Sequence, residues 1–152
     1  AAGLNANAVA ELGVAMILNC LRSSCVILTG PRTDVNQLVA ACQLFVGVSR
    51  AALEAMAACK PVVLSGAQGH TGLFCPELLE KAVDTNFCCR TDPVATPEQL
   101  QADVLRALAL SPDQAKELGD YGRRVVQERP VYLTEPEYQN SVAALRRQLA
   151  LV

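Results

Sequence analysis

The stretch FVGVSRAALEAMAACKPVVL, residues 45–64, carries the reading of the fold. Leu44 to Val48 is an apolar run without a helical stripe, short enough for a buried strand. A turn follows at Gly47-Val48-Ser49. Arg50 to Cys59 is dense in Ala, Leu and Met, the side chains a helix tolerates best. Lys60-Pro61 stops that helix, because Pro61 disfavours helical geometry at the residue before it. Val62, Val63 and Leu64 then open a second β-branched run. Strand, tight turn, helix and strand in this order form a βαβ unit whose two strands run parallel.

Such a unit has chemical consequences. Ser49 is placed as the helix N-cap, leaving the amides of Arg50, Ala51 and Ala52 as donors in the first turn. A helix N-terminus at the carboxyl edge of a parallel sheet is suited to an anion. Glu54 is the only acid of the unit, among the apolar neighbours Ala51, Ala52, Leu53, Ala55, Met56 and Ala57. Periodicity alone leaves two readings open: a carboxylate on the solvated stripe, or a ligand contact one turn into the helix.

Composition sets the frame. A chain of 152 residues that is 51% hydrophobic suits one globular domain with a sizeable core. Scarce aromatics and abundant Ala and Val favour helices on a parallel sheet over an all-β sandwich. A net charge of −2, with the basic residues scattered, argues against a nucleic-acid surface. Seven cysteines without a CxxC and a single His give no zinc-ligand pattern, so no metal is expected. Cys42 and Cys59 read as small hydrophobes in Ala-like helical slots, as expected in a reducing cytoplasm. No run reaches the apolar length of a membrane helix.

Upstream of the unit, residues 6–22 carry an apolar helical stripe, an apolar face that another half or a second copy of the chain would cover. Cys25 to Leu28 reads as a strand, and Asp34 as the N-cap of a short helix through Ala41, with Gln37 as its capping-box partner. Downstream, residues 65–72 bring three glycines and His70 into a loop that admits close backbone approach to a ligand. His70 is there either a loop histidine without a partner or a ligand or proton-transfer group. A short helix from Pro76 to Val83 and a strand from Asn86 to Cys89 follow. Thr96-Pro97-Glu98-Gln99, Ser111-Pro112-Asp113-Gln114 and Thr134-Glu135-Pro136-Glu137 are helix starts. The expected core stripes are Leu100, Val104 and Leu108, then Leu118, Tyr121 and Val125, then Tyr138, Val142, Leu145 and Leu149. Arg129-Pro130 is the expected joint. The architecture expected is α/β: a Rossmann-like three-layer αβα domain with a parallel sheet of four to five strands and C-terminal helices.

The segments VILTGPRTDV (26–35), LVAACQLFV (38–46) and ALEAMAACKPVV (52–63) together resemble the nucleotide-sugar-binding C-terminal half of GT-B glycosyltransferases, nearest to retaining hexosyltransferases. The resemblance runs from about Val26 to Arg129. It implies that Glu54 accepts hydrogen bonds from the donor's ribose hydroxyls. The amides of Val48, Ser49, Arg50 and Ala51 would face the diphosphate or the sugar, with Gly47 also in the donor site, and Gly30-Pro31-Arg32 would lie near the base. Gly66, Gly69 and His70 belong to the same expected donor edge. The family stabilises the departing diphosphate by positive charge and helix dipole without a metal or another cofactor, which gives Arg32 and Arg50 that part here. It also implies an acceptor-binding N-terminal half as partner. The family usually has glycine where Cys59 stands, so a tight or strained turn is expected there. An interaction or scaffold domain built on the same fold is the alternative function; a nucleotide-sugar epimerase relative, the third, would need acidic and His catalytic groups from both halves, and the single His weighs against it.

Overall fold

The computed structural model describes residues 30–128. The stripe at 6–22, the strand at Cys25 to Leu28, the joint at Arg129-Pro130 and the helix after Thr134 lie outside the described residues. In chain order the described elements are α1 (Val35–Ala41), β1 (Phe45–Gly47), α2 (Ser49–Ala57), β2 (Val62–Gly66) and β3 (Gly69–Leu73). A 3₁₀ turn (Pro76–Leu78) then runs into α3 (Leu79–Asp84), followed by α4 (Pro97–Leu108) and α5 (Pro112–Glu128).

The fold is mixed α/β around the βαβ unit. β1 and β2 pair in parallel, Phe45 opposite Val62 and Gly47 opposite Leu64, with α2 as the crossover. α2 ends as its sequence requires. Cys59 takes a left-handed φ of 56°. Its amide donates to Met56 O, and the Lys60 amide donates to Ala55 O. That pair of bonds is a Schellman ending, with Cys59 in the position that usually belongs to glycine. Pro61 then begins the extended run into β2.

β2 is the centre of the sheet, whose order is β1-β2-β3. Its side chains alternate between two cores. Val62 and Leu64 pack with α2, Phe74, Phe87 and Val126 on one face. Val63 packs with Leu73 and with Leu100, Val104 and Ala107 of α4 on the other. Helices therefore cover both faces of the sheet, and burying each such side chain contributes about 1.5–3 kcal/mol. α5 lies directly against the end of α2: a Cβ on Gly119 would sit 2.1 Å from Cys59 O.

Several expectations need correction. The described residues hold three strands, not four or five, and only β1 and β2 are parallel. The glycine-rich run is not an open loop. It reverses through Ala67-Gln68 and returns as β3, antiparallel to β2, with Gly66 opposite Gly69 and Ser65 opposite His70. A two-residue connection suffices for an antiparallel pair, so no crossover intervenes.

Asn86 to Cys89 is no strand. Asn86, Phe87 and Cys89 have φ of 52°, 58° and 59°, far from extended geometry. The segment instead completes α3: the Asn86 amide donates to Val83 O and the Phe87 amide to Ala82 O, a second Schellman ending. Asp34 precedes α1 but makes no side-chain cap, because Arg32 occupies its carboxylate through two hydrogen bonds. Leu108 is half exposed, and Ala107 is the buried residue of that turn. Cys42 and Cys59 are only partly buried and flank helices as end residues rather than filling helical slots.

Candidate functional site

The carboxyl ends of β1 and β2 meet the first turn of α2, and two further segments converge on that end. The β2–β3 turn comes first: a Cβ on Gly66 would lie 2.9 Å from Val48 Cγ2, so the hairpin tip sits on the residue that precedes α2. The turn after α3 is the second, since the Ser49 amide donates to Phe87 O at 2.7 Å. Arg90 of the same turn donates from Nε to Gln68 Oε1 at the hairpin tip, 3.0 Å away.

Ser49 does not serve as the expected cap. Val48 precedes the helix in extended geometry, and no side-chain cap bond forms. Ser49 itself has a φ of 55°, outside the extended region from which a capping serine reaches the helix amides. Its own amide is already engaged by Phe87, which takes one donor away from any anion at this end. One turn on, Arg50 Nε donates to Glu54 Oε1 at 3.2 Å across an i, i+4 step, with side-chain exposures of 48% and 23%. Glu54 is thus neither fully solvated nor buried, and its carboxylate lies beside a cation on the same helix face.

Of the other expected residues, Gly47 ends β1 and Ala51 is exposed on the first turn of α2. Gly30 has a left-handed φ of 62°, and Arg32 is held by Asp34 at the start of α1. Gly69 lies beneath the turn after α3: a Cβ there would stand 1.9 Å from Cys89 O and 2.5 Å from Asp92 O, so only glycine fits. Gly66 and Gly69 therefore tie the hairpin tip to α2 on one side and to the later turn on the other.

His70 goes elsewhere. Asp103 of α4 accepts from its Nε2 at 2.8 Å, and the same carboxylate accepts from Arg106 Nη2 at 2.6 Å. His70 Nδ1 is buried and has no hydrogen-bond partner among the described residues. These side chains line a cleft of about 590 Å³ together with Cys75, Glu77 and Gln99. Burial, followed by the neighbouring Glu77 carboxylate, pushes the Cys75 thiol up, which opposes thiolate formation in that cleft.

The turn after α3 is itself densely tied. Thr85 Oγ1 accepts from the Cys89 amide at 3.2 Å and donates to Ala82 O at 3.3 Å. Asp92 accepts from Thr71 Oγ1 at 2.7 Å and pairs with Lys81 Nζ at 2.6 Å. Burial pushes the Asp92 carboxyl up, but the Lys81 ammonium and the Thr71 hydroxyl outweigh it, and its pKa lies below the ordinary 3.8. Cys88 and Cys89 are buried, and burial pushes the Cys89 thiol up as well. Neither has the exposed, electropositive setting of a reactive thiol.

Sequence reasoning missed Phe87, Arg90, Asp92 and Asp103. Asn86 alone carried a signal, since asparagine accepts left-handed geometry after a helix. Arg50 and Glu54 pair on the first two turns of α2, and Arg90 bonds the hairpin tip that packs on Val48. No protein-family model, curated protein or solved structure matches this chain.

Proposed function

We propose that the chain is the donor-binding domain, Rossmann-like in architecture, of a GT-B glycosyltransferase that transfers a hexosyl group from a nucleotide-sugar. The observation that carries the reading is the parallel β1–α2–β2 unit, whose crossover helix starts at the carboxyl end of β1 and carries Glu54 in its second turn. In this reading Glu54 accepts from ribose hydroxyls, and Arg50 and the amides of the first turn face the diphosphate. Arg90 adds a cation at the same end, outside the segments that carry the resemblance most closely. Transfer itself requires an acceptor-binding half as partner, because the reacting centre of this architecture lies between two halves.

The test is a thermal-shift panel with UDP-, GDP-, ADP- and dTDP-sugars on the wild type and on Glu54→Ala. The expected result is a shift with one nucleotide class. Glu54→Ala weakens that binding by about 1.5–3 kcal/mol, the range for a hydrogen bond to a charged group, with little change in the melting temperature of the free protein. Equal shifts in both proteins, or none with any sugar, would count against the reading.

The second reading is an interaction or scaffold domain on the same fold. The bond from the Ser49 amide to Phe87 O favours it, since it engages within the protein a donor that a phosphate would otherwise take.

A further inference from the structure

We infer that Thr85 is a positioning residue for the donor end of α2, acting through the turn from Thr85 to Asp92. The functional half of this inference rests on the donor-binding reading; the structural half does not.

Ser49, Asn86, Phe87 and Cys89 are four of the five non-glycine residues with positive φ among the described residues. A left-handed L-residue is strained and persists only where its surroundings over-determine it. Here all four belong to one assembly. The Phe87 carbonyl accepts the Ser49 amide at 2.7 Å, a contact spanning 38 positions of the chain, and the Phe87 side chain is fully buried. Phe87 packs edge-on against Phe74, ring centroids 5.7 Å apart, which fixes where its backbone lies.

Thr85 holds the turn that aims this carbonyl. Its backbone O accepts the Cys88 amide at 3.1 Å, and its Oγ1 accepts the Cys89 amide at 3.2 Å while reaching back to Ala82 O. The residue is 7% exposed, so water does not replace the hydroxyl if it is removed. The other side of the turn rests on the Gly69 backbone. Thr85 therefore fixes the Phe87 carbonyl, the carbonyl fixes Ser49, and Ser49 sets the direction in which the first turn of α2 presents its amides. Thr85 touches no ligand in this scheme.

The experiment is site-resolved amide exchange by NMR on the wild type, Thr85→Ser and Thr85→Val. Thr85→Ser, which keeps the hydroxyl, leaves Ser49 protected. Thr85→Val, which keeps the shape, accelerates Ser49 exchange by up to about tenfold, the loss of one buried hydrogen bond, while amides of α4 and α5 keep their rates. Unchanged Ser49 exchange in Thr85→Val, or acceleration spread evenly over the protein, would overturn the inference. If Thr85→Val does not fold, Thr85→Ala takes its place with scalar coupling across the hydrogen bond from Ser49 N to Phe87 C′: a coupling present in the wild type and weakened in Thr85→Ala supports the inference, and one absent in the wild type or unchanged in Thr85→Ala overturns it. The sugar panel read on the same variants separates the two proposals. Wild-type binding that falls about tenfold in Thr85→Val and returns in Thr85→Ser supports both. Full binding in Thr85→Val despite a mobile Ser49 overturns the positioning role and leaves the donor reading standing. Absence of binding in every form ends the donor reading and the positioning role for it, while exchange alone decides the structural link.

Discussion

Cys59 holds a backbone geometry that its side chain resists. At a φ of 56° a Cβ crowds the following carbonyl, a strain of about 1–2 kcal/mol that glycine does not feel. Replacement by glycine also loosens the unfolded chain, which offsets part of the gain. Cys59→Gly is therefore expected to raise stability by about 1 kcal/mol, read as a higher midpoint in urea at unchanged slope. Cys59→Val, β-branched in the same geometry, is expected to lower it. The turn here was expected from the resemblance, which usually has glycine before Lys60-Pro61, although the residues alone read Cys59 as the last of the helix. Ser49 was not. Its residue type suits a cap, and only the Phe87 carbonyl, 38 positions away, shows that its amide is spent on a tertiary bond. The difference is one of range: Cys59 answers to its neighbours in sequence, Ser49 to a distant turn.

At the scale of elements, the same contrast separates two helix starts. α4 opens with a complete capping box, the Gln99 amide donating to Thr96 Oγ1 and the Thr96 amide to Gln99 Oε1. α5 repeats it with Ser111 and Gln114. Thr96→Ala is expected to cost about 1 kcal/mol in chemical denaturation, whereas Asp34→Ala, which removes no cap, is expected to stay within about 0.5 kcal/mol. The βαβ unit and these two starts were readable because each is written in adjacent residues. The β2–β3 hairpin was not, since Gly66-Ala67-Gln68-Gly69 serves equally for a loop. What selects the hairpin is the packing of Gly69 against Cys89 O and Asp92 O, a contact across two elements. Likewise the apolar run Phe87-Cys88-Cys89 could not reveal that residues 86–89 finish a helix; the hydrogen bonds back to Val83 and Ala82 do that.

Over the whole molecule, Asp92 joins parts distant in sequence: Thr71 of β3 and Lys81 of α3 both bind its carboxylate. Its pKa in the fold lies below that of the unfolded chain, so the contribution is complete above the ordinary aspartate range. It is lost as acid protonates the group through its depressed value. Stability is accordingly expected to fall below about pH 4, with a shallower acid limb in Asp92→Asn. Asp34 and Asp120, whose pKa values are also lowered by their Arg32 and Lys116 partners, keep some slope in that variant.

The aromatic arrangement gives the molecule an optical signature. The chain has no tryptophan. Tyr121 of α5 lies against Phe74 with ring centroids 5.8 Å apart, and the Arg124 guanidinium stands over the same ring. A tyrosine clamped in so asymmetric a setting contributes a near-ultraviolet circular dichroism band, and that band collapses when packing is lost while helix content persists. Release of α5 from α2 and Phe74 can thus be followed by light alone, without a label.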